Sequence, residues 1–246
     1  MMIDQKSLAT FSWDDGHPLD IRIAQLFNKY GLRCTFYIPK NNSENLPTLS
    51  PSDLRELSKD NFDIHSHTLN HIYLNKLQPH EQASEIQSGK KYIEDAIGQA
   101  DNIFCYPGGR YTKKTIDLVK GAGFEFARTV DMGFDCAYSS NNFLMPTTTI
   151  IAPLTNFQIL KHSLKRRSLL RGLNILKLNN AVINKTWASQ LDARCYHFWG
   201  HSWEIDKYNL WESLEILIQN LVASNIKIVS NKEFYQQKSL YYKSNL

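Results

Sequence analysis

Two aspartates stand side by side at the end of the run Thr10-Phe-Ser-Trp-Asp14-Asp15-Gly16, and three histidines crowd the stretch Asp63-Ile-His65-Ser-His67-Thr-Leu-Asn-His71. Two more histidines fall in His197-Phe-Trp199-Gly-His201-Ser-Trp-Glu204. His67 and His71 are four apart, so one helical turn or a tight loop would aim both imidazoles at one point. Two imidazoles and a carboxylate are a common set for a catalytic transition metal, because three protein ligands leave a position for water. The carboxylate is expected from the Asp-Asp-Gly turn, one aspartate binding metal while its neighbour acts as base on the metal's water. Taken singly these signals are weak. An aspartate pair at a loop often caps a helix, and a histidine in a strand is often a core residue.

What joins the signals is where the elements put them. Strands are expected at 7–13, 33–38, 61–66, 102–106, 124–130, 145–151, 194–200 and 226–229. Helices fit between them. Ile21, Leu26, Phe27 and Tyr30 are spaced as a helix face, and Gly31 closes that helix. Ser50 can cap a helix that begins at Pro51, and Thr112 one that stops at Gly121 and Gly123. Leu210, Leu214, Leu217 and Leu221 share a late helix face. Repeated β-then-α units imply a parallel sheet, and seven or eight of them suggest a closed barrel, with an open doubly wound sheet as the alternative. The aspartates and both histidine clusters then fall at C-terminal strand ends, where α/β folds build their sites. No linker or repeat divides the 246 residues, so a single domain over 1–246 is expected.

The apolar fraction of 42% suffices for a core. The N-terminus lacks the apolar stretch of about 7–15 residues that a secretory signal needs, and no window approaches the roughly 18 apolar residues of a membrane span. The four cysteines, Cys34, Cys105, Cys136 and Cys195, are scattered without a CxxC pair, which suggests a reduced, cytoplasmic protein with no disulfide framework. Net charge is only +4 but uneven: Cys136 to Leu191 holds no Asp or Glu. Within that span the basic segment 161–185 carries Lys161, Lys165, Arg166, Arg167, Arg171, Lys177 and Lys185. That charge suits a solvated helix face, an anionic substrate or a peripheral membrane contact. Nucleic acid is not expected, for no binding motif accompanies it.

"TFSWDDG" followed by "HSHTLNH" resembles the first two motifs of the polysaccharide deacetylases, carbohydrate esterase family 4, with "FCYPGGR" similar to the third and "FWGHSWE" to the last. The resemblance implies an irregular (β/α) barrel and the metal-dependent removal of N-acetyl, sometimes O-acetyl, groups from sugars. It implies Asp15, His67 and His71 as ligands to one divalent ion, zinc first, with cobalt or nickel as alternatives. It implies Asp14 as catalytic base and His201 as the acid that protonates the leaving amine. Trp199 would line a pocket for the acyl methyl, and a backbone N–H in Tyr106-Pro107-Gly108 would hold the oxyanion, with Gly108 the matching position. His17 would lie close enough to touch substrate, and so would His65.

Two departures stand out. The third motif's arginine, which pairs with the base, is replaced by Cys105, and cysteine lacks a guanidinium's charge and fork of donors. Arg110 or Arg128 is the expected substitute. The aromatic residue usual before the motif's final glycine is replaced by Gly108, so a more open cleft is expected. The resulting reading is a sugar N-deacetylase acting on an acetylated precursor, anionic through a nucleotide or lipid diphosphate, in cell-surface polysaccharide synthesis. The alternatives are an O-acetyl esterase or non-sugar amidase with the same site, and an inactive carbohydrate-binding relative.

Overall fold

In the first strand, β1 (Leu8–Asp14), side chains alternate between two buried faces. Ala9, Phe11 and Trp13 enter the main apolar cluster, where Phe11 meets Phe27 and Phe198 with ring centroids 5.2 and 5.0 Å apart. Thr10, Ser12 and Asp14 face the opposite way and find polar partners: Thr10 donates to Asn231, Ser12 meets His197, and Asp14 pairs with Arg128. A strand buried on both faces is the mark of a parallel sheet covered by helices.

The computed structural model describes residues 7–133, 141–155, 157–160, 169–186 and 195–244. After β1 the chain runs α1 (Asp20–Lys29), β2 (Thr35–Ile38), α2 (Pro51–Lys59), β3 (Asp63–Ser66), α3 (Pro79–Ile97), β4 (Ile103–Cys105), α4 (Lys113–Gly121) and β5 (Phe126–Arg128). It continues through β6 (Thr149–Ile150), α5 (Leu169–Ile183), β7 (Cys195–Gly200), α6 (Ser202–Lys207), α7 (Trp211–Ala223), β8 (Lys227–Val229) and α8 (Asn231–Ser244). Short 3₁₀ turns cover Leu74–Lys76 and Pro107–Gly109.

The sheet order is β5-β4-β3-β2-β1-β7-β6, with β8 also on β1, and every ladder is parallel. One edge of β1 pairs with β7 along its length; the other pairs with β8 at Leu8–Thr10 and with β2 at Ser12–Asp14. A parallel bridge between Arg128 and Met145 joins β5 to the segment leading into β6. The strands therefore form the irregular (β/α) barrel expected, and not an open doubly wound sheet.

The expected punctuation is present. Ser50 accepts the Asp53 N–H while Asp53 accepts the Ser50 N–H, a reciprocal cap with Pro51 in the first turn. Thr112 caps α4 through the Thr115 N–H. Three details differ from the expectation. The buried face of α1 is Ile23, Ala24 and Phe27, with Ile21, Leu26 and Tyr30 only flanking it. The strands around 124–130 and 145–151 shrink to three and two residues, with the Thr129 N–H on the Met145 carbonyl closing the isolated Arg128–Met145 bridge and the Thr147 N–H turning to the Asp131 carbonyl. Cys34 and Cys105 are free and buried, but Cys195 is disulfide-bonded, so the chain is not the fully reduced one its scattered cysteines suggested. Disulfides persist mainly in oxidising compartments. Among the described residues no helix is long and apolar enough to cross a membrane.

Candidate active site

Five strand ends converge on one polar centre: Asp14 closes β1, His67 follows β3, Cys105 closes β4, Arg128 closes β5 and His201 follows β7. The turn after β1 is tight. Asp15 has φ +77° and Gly16 φ +62°, and a Cβ at Gly16 would lie 2.6 Å from Ile38 Cγ2, so only glycine fits there. His71 (φ +54°) and Thr68 (φ +65°), in the loop that presents the histidines, also take the left-handed conformation, which is unusual for residues with side chains.

Asp15, His67 and His71 meet as expected, all three buried, with ligand-type atoms within 4.8 Å of one another. Asp15 Oδ1 lies 3.1 Å from His71 Nε2 and 3.9 Å from His67 Nε2, yet it is a buried atom with no hydrogen-bond partner. His67 Nδ1 is 2.9 Å from the Cys105 carbonyl, which can only accept, so Nδ1 carries the hydrogen and Nε2 offers its lone pair to the centre. Burial pulls the His67 pKa down to about 4, keeping the ring neutral at pH 7, as a ligand must be. An unpartnered carboxylate oxygen facing neutral imidazole is a donor set that fits a divalent cation. Asp15 Oδ2 is fixed from behind by the Trp203 indole N–H at 3.1 Å.

Beside this set lies Asp14. Burial would raise its carboxyl, but Arg128, then His67 and His201, reverse that and hold it below the ordinary carboxylate value. Arg128 is fully buried, donates to Asp14 Oδ1, and lies 5.0 Å over the Trp199 ring and 5.2 Å over Tyr37. Arg128 pairs with Cys105 across the β4–β5 ladder. A guanidinium therefore reaches Asp14 from β5, one strand further round than Cys105. Arg110, the other expected substitute, is exposed and makes no contact with Asp14.

His201 lies on the opposite side, with Nε2 3.9 Å from Asp15 Oδ2 and Nδ1 2.5 Å from Glu204 Oε2. Burial lowers its pKa, but Asp15, Glu204 and Asp14 outweigh burial and raise it to about 9. Its ring stacks on Trp203 and meets Trp199 edge-on, with centroids 5.4 and 5.6 Å away. The short stretch His201–Glu204 thus carries an imidazole, its carboxylate partner and the clamp on Asp15.

Other expected residues fall outside the polar centre. Tyr106 is fully buried with its ring between Phe104 and Tyr111, so only its backbone is left to the cleft. Pro107 is buried at the start of its 3₁₀ turn. Gly108 is exposed at φ +56°, but the room its missing side chain leaves is taken by Tyr73: a Cβ there would meet Tyr73 Cε1 at 2.9 Å. The cleft is closed at that point by an aromatic from another loop, which no spacing in the third motif could announce. His17 accepts the Leu19 N–H through Nδ1 and holds the turn into α1. His65 is not at the cleft: it is buried, with Nδ1 2.9 Å from Asp101 Oδ1. In the basic segment, 161–168 lie outside the described residues, Lys177 is exposed, and Lys185 pairs with Glu212.

The family model for polysaccharide deacetylase matches residues 3–127, just over half of the chain. The chain belongs to the polysaccharide deacetylase family. It is 28% identical over 123 residues to the putative polysaccharide deacetylase YxkH of Bacillus subtilis (strain 168), a match covering 50% of this chain and 44% of that protein. The chain spans about half the length of the curated relatives it matches. In fold it is similar to the chitin deacetylase of Colletotrichum lindemuthianum, at a TM-score of 0.63 and 16% identity over 94% of this chain and 88% of the other. It is equally similar to a family 4 acetyl xylan esterase from Clostridium thermocellum solved with a cobalt ion, at a TM-score of 0.62 and 15% identity over 95% and 92% of the two chains. In this chain the arginine beside Asp14 comes from β5.

Proposed function

We propose that the chain is a metal-dependent hydrolase that removes an N-acetyl group from a sugar or glycan. The observation that carries this reading is the buried, unpartnered Asp15 Oδ1 facing two imidazoles, flanked by Asp14 and His201 with opposite proton affinities. Two titratable groups whose surroundings push them apart are the usual mark of an acid–base pair.

A divalent ion held by Asp15, His67 and His71, for which zinc, cobalt and nickel are candidates, would supply Lewis acidity to the amide carbonyl and lower the pKa of a water. Asp14, ionised and held at Oδ1 by Arg128, takes the proton of the attacking water on Oδ2. The backbone N–H of Gly108 is the donor assigned to the developing oxyanion. An amine anion cannot leave at neutral pH, so His201 Nε2 gives up its proton to the leaving nitrogen while Glu204 steadies Nδ1. Trp199, at right angles to His201, provides an apolar wall for the acyl methyl.

The finer reading adds a substrate carried on a nucleotide or lipid diphosphate, used in cell-surface polysaccharide synthesis in the cytoplasm. Its support is the acid-free basic stretch; the disulfide at Cys195 weighs against the cytoplasm. The test is acetate release by metal-stripped and reloaded protein across chitin oligomers, peptidoglycan fragments, a nucleotide-linked N-acetyl sugar and an aryl acetate. Metal-dependent release from one N-acetyl sugar is the expected result. Release from the aryl ester alone would replace the amidase reading with an esterase, and release independent of metal would overturn it. If the diphosphate carrier is right, neutralising Lys165, Arg166 and Arg167 raises KM for that substrate alone.

A further inference from the structure

The residue that displaced the motif arginine has its own chemistry. Cys105 is buried at the end of β4, with Sγ 3.8 Å from Asp14 Oδ2. Arg128 occupies the other oxygen, Oδ1, so Oδ2 is the one that faces the thiol. His67 is the third member: the ligand-type atoms of Asp14, His67 and Cys105 all lie within 4.8 Å of one another. Donor atoms in a tetrahedral zinc shell with bonds of about 2.0–2.3 Å sit roughly 3.5 Å apart, so small side-chain shifts would close this cluster on an ion.

We propose that Asp14, His67 and Cys105 form a second, thiophilic metal site, selective for cadmium or copper(I) over zinc, that excludes the ion of the Asp15–His67–His71 set. Thiolate is the soft ligand that picks out these metals, whereas the Asp15 set offers only oxygen and imidazole. Sharing His67 makes the two occupancies exclusive, and an ion on Asp14 removes the base. Binding exchanges the thiol proton for the ion: the S–H bond breaks, an S–metal bond forms and H⁺ leaves to solvent. The net gain of charge beside Arg128 is therefore one positive charge for a divalent ion and none for copper(I). The site stands whether or not the chain deacetylates sugars, since it needs only these three side chains.

The test is cadmium titration of the metal-stripped full chain, read by the ultraviolet thiolate-to-cadmium absorption and by the protons released. Wild type should develop the band at one thiolate per chain, and His71→Ala, which cripples the competing set, should develop it at equal or lower cadmium. Cys105→Ser should lose the band while Cys34→Ser keeps it. Asp14→Asn, which leaves the thiol in place, should weaken the cadmium–thiolate affinity about tenfold or more and covers the case in which Cys105→Ser does not fold. Cadmium binding without a thiolate band in wild type, or a band in Asp14→Asn of undiminished affinity, would overturn the proposal.

Discussion

At the scale of single residues the centre divides its labour by partner. Asp14 and Asp15 are neighbours in sequence and buried alike, yet one is held by a guanidinium and the other by an indole N–H beside two imidazoles. The consequence is readable in a pH profile. Asp14 is held below the ordinary carboxylate value, so the base form survives into mild acid and activity falls only as pH drops through that lowered value. His201 stays protonated up to about 9, so activity falls as pH rises through that region. Arg128→Met should move the acid limb of kcat/KM upward and cut the rate about a hundredfold or more; Arg128→Lys should restore only part, lacking the planar fork. Glu204→Gln should move the alkaline limb downward and leave the acid limb in place. An unmoved profile in both variants would show that neither partner tunes its group.

At the scale of elements, the strand ends present the groups and buried polar contacts hold those ends in place. Asp101, before β4, accepts from His65 Nδ1 and from the Ser66 N–H at 2.9 Å each, tying β3 to β4 just beneath His67. Asp101→Ala strands buried donors at His65, Ser66 and Ile103, and each buried donor left unsatisfied costs about 1–3 kcal/mol, measurable by denaturant unfolding. Little or no loss would make this tie incidental. Much of this level was legible in the sequence. The apolar–polar alternation of Leu8–Asp14 encodes a two-faced strand, Ser50 and Pro51 encode a helix start, and the Asp-Asp-Gly and histidine motifs encode the centre. What was not legible depends on pairing between distant segments. Nothing in the spacing says that Cys105 and Arg128 face each other across a ladder, or that Tyr73 fills the space above Gly108. His65 looked like a site residue because its tie to Asp101 crosses 36 positions.

For the whole molecule, the barrel's closure is what turns local motifs into a site: Asp15 after β1 and His67 and His71 after β3 come within 4.8 Å of one another when those strands are docked. An ion bound to the folded chain alone stabilises it by mass action, about 2.7 kcal/mol at a hundredfold excess over Kd. Adding zinc or cobalt to stripped protein should therefore raise the thermal midpoint, and His71→Ala should blunt the rise. The most direct test of the account is acetate release from an N-acetylated oligosaccharide by wild type and Asp14→Asn, with bound metal measured in both. The variant should hold the same metal and lose about 10²–10⁴-fold in rate, the usual contribution of a general base. Equal metal content with an undiminished rate would contradict the assignment of Asp14, and with it the mechanism built on the paired aspartates.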